Sequence, residues 1–110
     1  MIVFQYKKDC KNAIETLKNL FSVRAELNIP YSEINIQISN SQSAEENKFQ
    51  GSPTILIDGI DIYTDSKPNE WFYSCRLYSF NGANTGIIPR EFIRKKVMQL
   101  RLAQFENGID

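Results

Sequence analysis

Phe49-Gln50-Gly51-Ser52-Pro53-Thr54-Ile55-Leu56-Ile57-Asp58-Gly59 is the stretch that decides the fold of this chain. Proline donates no backbone hydrogen bond, so Pro53 belongs at the first residue of a strand and not inside it. Ile55, Leu56 and Ile57 form an unbroken apolar run, the pattern of a central strand covered on both faces. Asp58-Gly59 closes the run as a turn. The flanking sequence must then supply strands to pair with this one and helices to cover it.

Upstream, Ser43 with Glu46 three residues later is a capping-box pattern that predicts a short helix through about Phe49. Before it, Glu33 to Ser39 alternates: Ile34, Ile36 and Ile38 point one way, and Glu33, Asn35 and Gln37 the other. That is a half-exposed strand near a sheet edge. From Lys11 to about Asn28 the apolar spacing is helical, through Ala13, Ile14, Leu17, Leu20, Phe21 and Ala25. Asp9 is the expected N-cap, and Asn28-Ile29-Pro30 the stop, because Pro30 disfavours helical geometry in Ile29. Ile2 to Tyr6 reads as a buried first strand.

Downstream, Ile60-Asp61-Ile62-Tyr63 either prolongs the strand or begins an excursion. Thr64 to Tyr73 reads as a surface loop with an aromatic anchor, Trp71, long enough to be a functional insertion. Ser74 to Phe80 reads as a strand and Asn81 to Gly86 as a turn-rich loop. Pro89 opens a last helix carrying Phe92, Ile93, Val97, Leu100 and Phe105, which ends near Asn107-Gly108. The order is βαβα followed by ββα. The first two strands should be parallel through a right-handed crossover, and the last two antiparallel. The expected fold class is α/β, a four-stranded mixed sheet flanked by helices, in one domain over residues 1–110.

Composition narrows the function. Thirteen basic and thirteen acidic residues leave no net field to draw nucleic acid or an anionic membrane. No apolar run approaches the ~20 residues that span a bilayer. Met1-Ile2-Val3-Phe4-Gln5-Tyr6 lacks the features of a signal peptide, so a cytoplasmic location is the expectation. Thiols there are kept reduced, so Cys10 and Cys75 are not expected to form a structural disulfide. The chain has no histidine, which excludes a serine–histidine or cysteine–histidine hydrolase and a histidine-ligated metal centre. No cofactor is expected. Arg94-Lys95-Lys96, with Arg101, reads as the solvated face of the last helix.

A cysteine opening a helix at Cys10, the Gly51-Ser52-Pro53-Thr54 loop, and the element order together resemble the thioredoxin-like superfamily over essentially the whole chain. Gly51 to Gly59, then Ser74-Cys75-Arg76-Leu77-Tyr78, then a glycine-containing loop and Pro89, are similar to a group of small bacterial and archaeal thioredoxin-like proteins sometimes labelled alkylmercury-lyase-like. The resemblance implies a cis bond before Pro53 beside the active-site cysteine. It also implies Ser52, Pro53 and Thr54 as the substrate-binding loop, the Ser52 backbone pairing with a substrate strand opposite Cys10. The departure lies in Cys10-Lys11-Asn12-Ala13, where alanine stands at the position of the second thiol of a Cys-x-x-Cys pair. Without a resolving thiol, the expected role is monothiol redox or thiol-binding chemistry at Cys10, with a low-molecular-weight thiol or a protein thiol as partner.

Cys10 at a helix N-terminus meets unpaired amides and the positive end of the dipole, which favour a thiolate. Lys7, Lys8 and Lys11 add to this and Asp9 opposes it. The alternative is a relic cysteine. Cys75 reads as a buried strand residue near the far end of the sheet, beyond the ~7 Å Cα reach of a disulfide to Cys10. A register shift in the loop of residues 64–73 would change that. Cys75 is then a second thiol, and a dithiol pair or a soft-metal site for mercury, copper(I) or zinc follows. Two cysteines alone do not make a closed zinc site, so no metal is assigned. A third function class stays open: a non-catalytic binding module, homodimeric through Trp71, Phe72 and Tyr73, although packing of that cluster on the chain's own sheet is the expected role.

Overall fold

The computed structural model describes residues 1–107, with side chains through Arg101. Strand β1 (Ile2–Lys7) leads into helix α1 (Lys11–Leu27) and, after a 3-10 turn at Tyr31–Glu33, strand β2 (Ile34–Ser39). Helix α2 (Ser43–Glu46) precedes strands β3 (Gln50–Ser52), β4 (Thr54–Ile57) and β5 (Ile60–Asp61). Strands β6 (Phe72–Cys75), β7 (Tyr78–Phe80) and β8 (Ala83–Thr85) follow, and helix α3 (Arg90–Asn107) comes last. The Gly108 helix stop lies outside the described residues.

The main sheet is mixed and four-stranded, in the order β2-β1-β4-β5. β1 runs parallel to β2, with Phe4 beside Ile36 and Tyr6 beside Ile38. It runs antiparallel to β4, with Ile2 beside Ile57 and Phe4 beside Ile55. The Asp58-Gly59 turn then folds β5 back on β4. Every residue of β4 is buried, in keeping with its unbroken apolar run. Ile2, Phe4, Ile55 and Ile57 share one face, where they join Leu20 and Val23 of α1 and Ile93 and Val97 of α3 in a single core.

Three local expectations are corrected. The inward line of α1 runs through Ala13, Thr16, Leu20 and Val23 and leaves Ile14 62% exposed. Apolar counting misses Thr16, whose buried hydroxyl accepts the Ile88 amide at 3.2 Å. The start of α1 is not capped by Asp9, which has a positive φ of 68°; Cys10 is the N-cap and makes no side-chain cap bond. Nor does Ser43 cap α2. Asn40 Oδ1 accepts the Gln42 and Ser43 amides at 2.9 and 2.8 Å. The stop at Asn28 is as read: a left-handed residue with Ile29 N–H bonded back to the Arg24 carbonyl at 3.0 Å.

β2 is the sheet edge. Ile36 and Ile38 share the face of Phe4, but Phe4 is fully covered while they are 43% and 59% exposed. Ile34, at the start of the same strand, does pack against the core, so the apolar alternation of β2 translates into core packing only at that end.

The largest correction concerns residues 64–80. They do not contain one strand that extends the main sheet; Ile60–Asp61 takes that place. Instead β6 turns back and pairs in parallel with β3, and β7 forms a hairpin with β8 around Asn81-Gly82. The excursion is pinned by Asp61, which exchanges backbone contacts with Ser66 and receives the Asp65 amide at 2.8 Å. Tyr73 packs near Phe49, but Trp71 and Phe72 stay 42% and 50% exposed, so the aromatic cluster is not laid on its own sheet. The basic run of α3 is partly paired, Arg94 with Glu26 and Lys96 with Asp65 at 2.8 Å. No described helix is long and apolar enough to cross a membrane.

Candidate thiol site

The chain is buried from Gly51 through Thr54, where β3 passes into β4, and the carbonyls of Gly51, Ser52 and Pro53 are all taken within the chain. The Thr54 hydroxyl donates to Gly51 O at 2.6 Å. Arg76 N–H donates to Ser52 O at 2.8 Å. The Tyr78 hydroxyl donates to Pro53 O; burial holds that phenol well above its ordinary range, so it remains a donor. The Ser52 hydroxyl accepts Lys7 N–H at 2.9 Å, tying the turn to the end of β1. The Ser52-Pro53 peptide is cis. The Ser52 carbonyl, expected to pair with a substrate strand, is thus already engaged within the chain by Arg76, the residue after β6.

Gly51 makes this possible. Its φ is +102°, and a Cβ there would lie 3.0 Å from Arg76 Cβ and 3.3 Å from Ser74 O. β6 can sit this close to β3 only because residue 51 has no side chain.

Cys10 is buried at the start of α1, with its sulfur 3.7 Å from Ser52 O. Its carbonyl accepts Ala13 N–H at 3.2 Å, which begins the helix. β6 places Cys75 beside Ser52 in register. The Cys75 sulfur therefore lies 4.0 Å from that of Cys10. This overturns the expectation that Cys75 is buried at the far end of the sheet: it is exposed, and it faces Cys10. The earlier placement assumed that Ser74–Phe80 continued the main sheet, and the parallel return of β6 removes that premise.

The two thiols interact electrostatically. A charge on the Cys10 sulfur pushes the Cys75 thiol above its ordinary value, with some help from burial, and Lys7 works against the shift. The pair therefore resists holding two negative charges at once. Lys7 itself lies over the Tyr73 ring, its nitrogen 5.4 Å from the centroid. Beside Cys10 is an open depression of about 550 Å³, lined by Tyr6, Lys8, Asp9, Lys11 and Ile14. Among the described residues there is no group of three or more His, Cys, Asp or Glu placed to hold a metal ion.

Behind Cys75, Arg76 turns inward. Its guanidinium bonds Asp61 at 2.7 Å and Thr54 Oγ1 at 3.0 Å. Neither Arg76 nor Asp61 stood out by composition. A signal existed: each is one charge set in an apolar run, Ile60-Asp61-Ile62 and Cys75-Arg76-Leu77-Tyr78. Such residues are buried only when paired.

No protein-family model, no curated protein and no solved structure matches this chain.

Proposed function

We propose that the chain is a thioredoxin-like thiol–disulfide exchange protein whose reactive pair is Cys10 and Cys75. The observation that carries this reading is the 4.0 Å separation of the two sulfurs. Supporting it are the β2-β1-β4-β5 sheet order, a cysteine at the start of α1, and the turn of residues 51–54 against that cysteine. The second thiol comes from β6 instead of from the first turn of α1, where Ala13 stands.

In this reading the Cys10 thiolate attacks one sulfur of a disulfide, R–S–S–R′. A mixed disulfide, Cys10–S–S–R, forms and R′S⁻ leaves. Cys75, as thiolate, then attacks the Cys10 sulfur. The Cys10–Cys75 bond forms, the bond to R breaks, and RS⁻ leaves to take up a proton. The dithiol is oxidised by two electrons and R–S–S–R′ is reduced to two thiols. R is a small thiol or a protein cysteine.

The test is mass spectrometry after equilibration with oxidised glutathione. The expected product is a chain lighter by two hydrogens, carrying no adduct. Cys75→Ser should stop at the mixed disulfide and keep the glutathione. A stable adduct on the unaltered chain, or none on either protein, would refute the proposal.

A second reading rests on the same distance. Two adjacent thiolates suit a two-coordinate soft cation such as copper(I) or mercury(II). Copper(I) retained at one equivalent by the reduced chain, and lost in Cys75→Ser, would support it.

A further inference from the structure

We propose that Arg76 is the positioning residue of this site, holding the Cys75 thiol on Cys10 through the buried ion pair with Asp61. The proposal rests on the exchange reading for its purpose, though not for its geometry.

β6 is poorly suited to hold a thiol in place. It is four residues long, largely exposed, and its register with β3 shifts between Gln50 and Ser52. Cys75 is its last residue. An exposed thiol at the end of such a strand would wander over distances that matter, because exchange needs the attacking sulfur in line with the bond it breaks.

Arg76 supplies the missing constraint. Its side chain is 11% exposed and that of Asp61 only 2%. One guanidinium nitrogen, Nη1, reaches both Asp61 Oδ2, from β5, and Thr54 Oγ1, from β4. The guanidinium carbon lies 4.6 Å from the Tyr78 ring centroid and 5.5 Å from that of Tyr63, so the cation is also stacked. Asp61 is fixed in turn, because its other oxygen accepts the Tyr63 amide at 2.8 Å. Successive side chains of an extended chain leave on opposite sides. With Arg76 drawn to one side, toward Asp61 and Thr54, Cys75 leaves on the other, where its sulfur meets that of Cys10.

The backbone of Arg76 completes the device. Its N–H holds Ser52 O, the same oxygen that the Cys10 sulfur approaches at 3.7 Å. Both sulfurs are thus referenced to one residue, Ser52. Stability alone is a weak reason to bury this pair, since a buried ion pair is often no better than apolar side chains of similar volume. Geometric definition is what the planar guanidinium adds.

The test uses the full chain and two readouts. The first is the equilibrium constant for the Cys10–Cys75 disulfide against reduced and oxidised glutathione. The second is bridging of the two thiols by dibromobimane, which requires proximity and no redox step. Arg76→Gln keeps much of the volume and loses the charge. It should lower the equilibrium constant by about tenfold or more and slow bridging, while the rate at which Cys10 alone is alkylated stays unchanged. Arg76→Lys should recover part of the loss. Asp61→Asn should act in the same direction, and it decides the matter if Arg76→Gln does not fold. An equilibrium constant and a bridging rate equal to those of the unaltered chain in a folded variant would overturn the proposal. If the unaltered chain is not oxidised but is bridged, and the variants lose bridging, positioning stands and the exchange reading falls.

Discussion

The sulfurs of Cys10 and Cys75 lie 4.0 Å apart although 65 positions separate them in the chain. Contact between residues this remote needs the whole β3–β6 return. It makes the ionisation of Cys75 depend on the charge at Cys10.

That dependence gives a pH prediction. The Cys75 thiol is raised chiefly by charge on the Cys10 sulfur. Cys10→Ser removes the cause, so the pKa of Cys75 should fall back toward the ordinary thiol value. Its alkylation rate should then rise at lower pH than in the unaltered chain. Rates of iodoacetamide labelling at Cys75, followed by peptide mass from pH 6 to 10, measure the shift. A profile that stayed put or moved to higher pH would remove Cys10 as the source.

Gly51→Ala should be costly. It asks alanine to take a φ of +102° and places a methyl 3.0 Å from Arg76 Cβ. The expected loss is about 1–3 kcal/mol in urea unfolding. Because the clash falls on β6, the variant should also form the Cys10–Cys75 disulfide more slowly. A variant as stable as the original would show that β6 can stand off from β3 without loss.

Thr16→Val keeps the shape of a fully buried side chain but removes the acceptor for the Ile88 amide. A buried N–H left without a partner costs about 1–3 kcal/mol. Thr16→Ser keeps the acceptor and should recover most of that. Denaturant midpoints for the two variants separate the hydrogen bond from the packing. Equal midpoints would mean that the bond contributes nothing.

Two isoleucines that look alike in sequence should behave differently. Ile38 is 59% exposed on the edge strand and Ile55 is fully buried. Ile38→Lys should change stability by no more than about 0.5 kcal/mol, whereas Ile55→Ala should cost about 2–5 kcal/mol. Thermal unfolding of the pair checks the contrast.

These cases mark what local pattern carries and what it does not. The run Ile55-Leu56-Ile57, the Asp58-Gly59 turn and the Asn28 stop all act over a few residues, and each is where its sequence places it; Pro53 stands one residue before its strand, which starts at Thr54. Ile14 is on the outward side of α1 and Ile36 and Ile38 are on the edge strand, so all three have apolar spacing without burial, an outcome set by tertiary packing. Cys10 was legible because a helix start is a local feature. Cys75 was not, because its place depends on a parallel pairing between β3 and β6 across a long excursion. Gly51 was the available clue, since a glycine leading into a strand often marks a close backbone approach. The Arg76–Asp61 pair was visible only as two charges in apolar surroundings.

The long separation of the two cysteines couples redox state to folding. Joining them would close a loop of more than half the chain, and in the chain-entropy picture that removes roughly 4 kcal/mol of freedom from the unfolded ensemble. By the same thermodynamic cycle, the folded chain must hold the bond more tightly than the unfolded one by that amount. A reducing potential that leaves the folded protein oxidised would open the bond as soon as the chain unfolds. The pair of sulfurs would then act as a gauge of foldedness, one that no neighbouring Cys-x-x-Cys pair could match, because its ends stay close in either state.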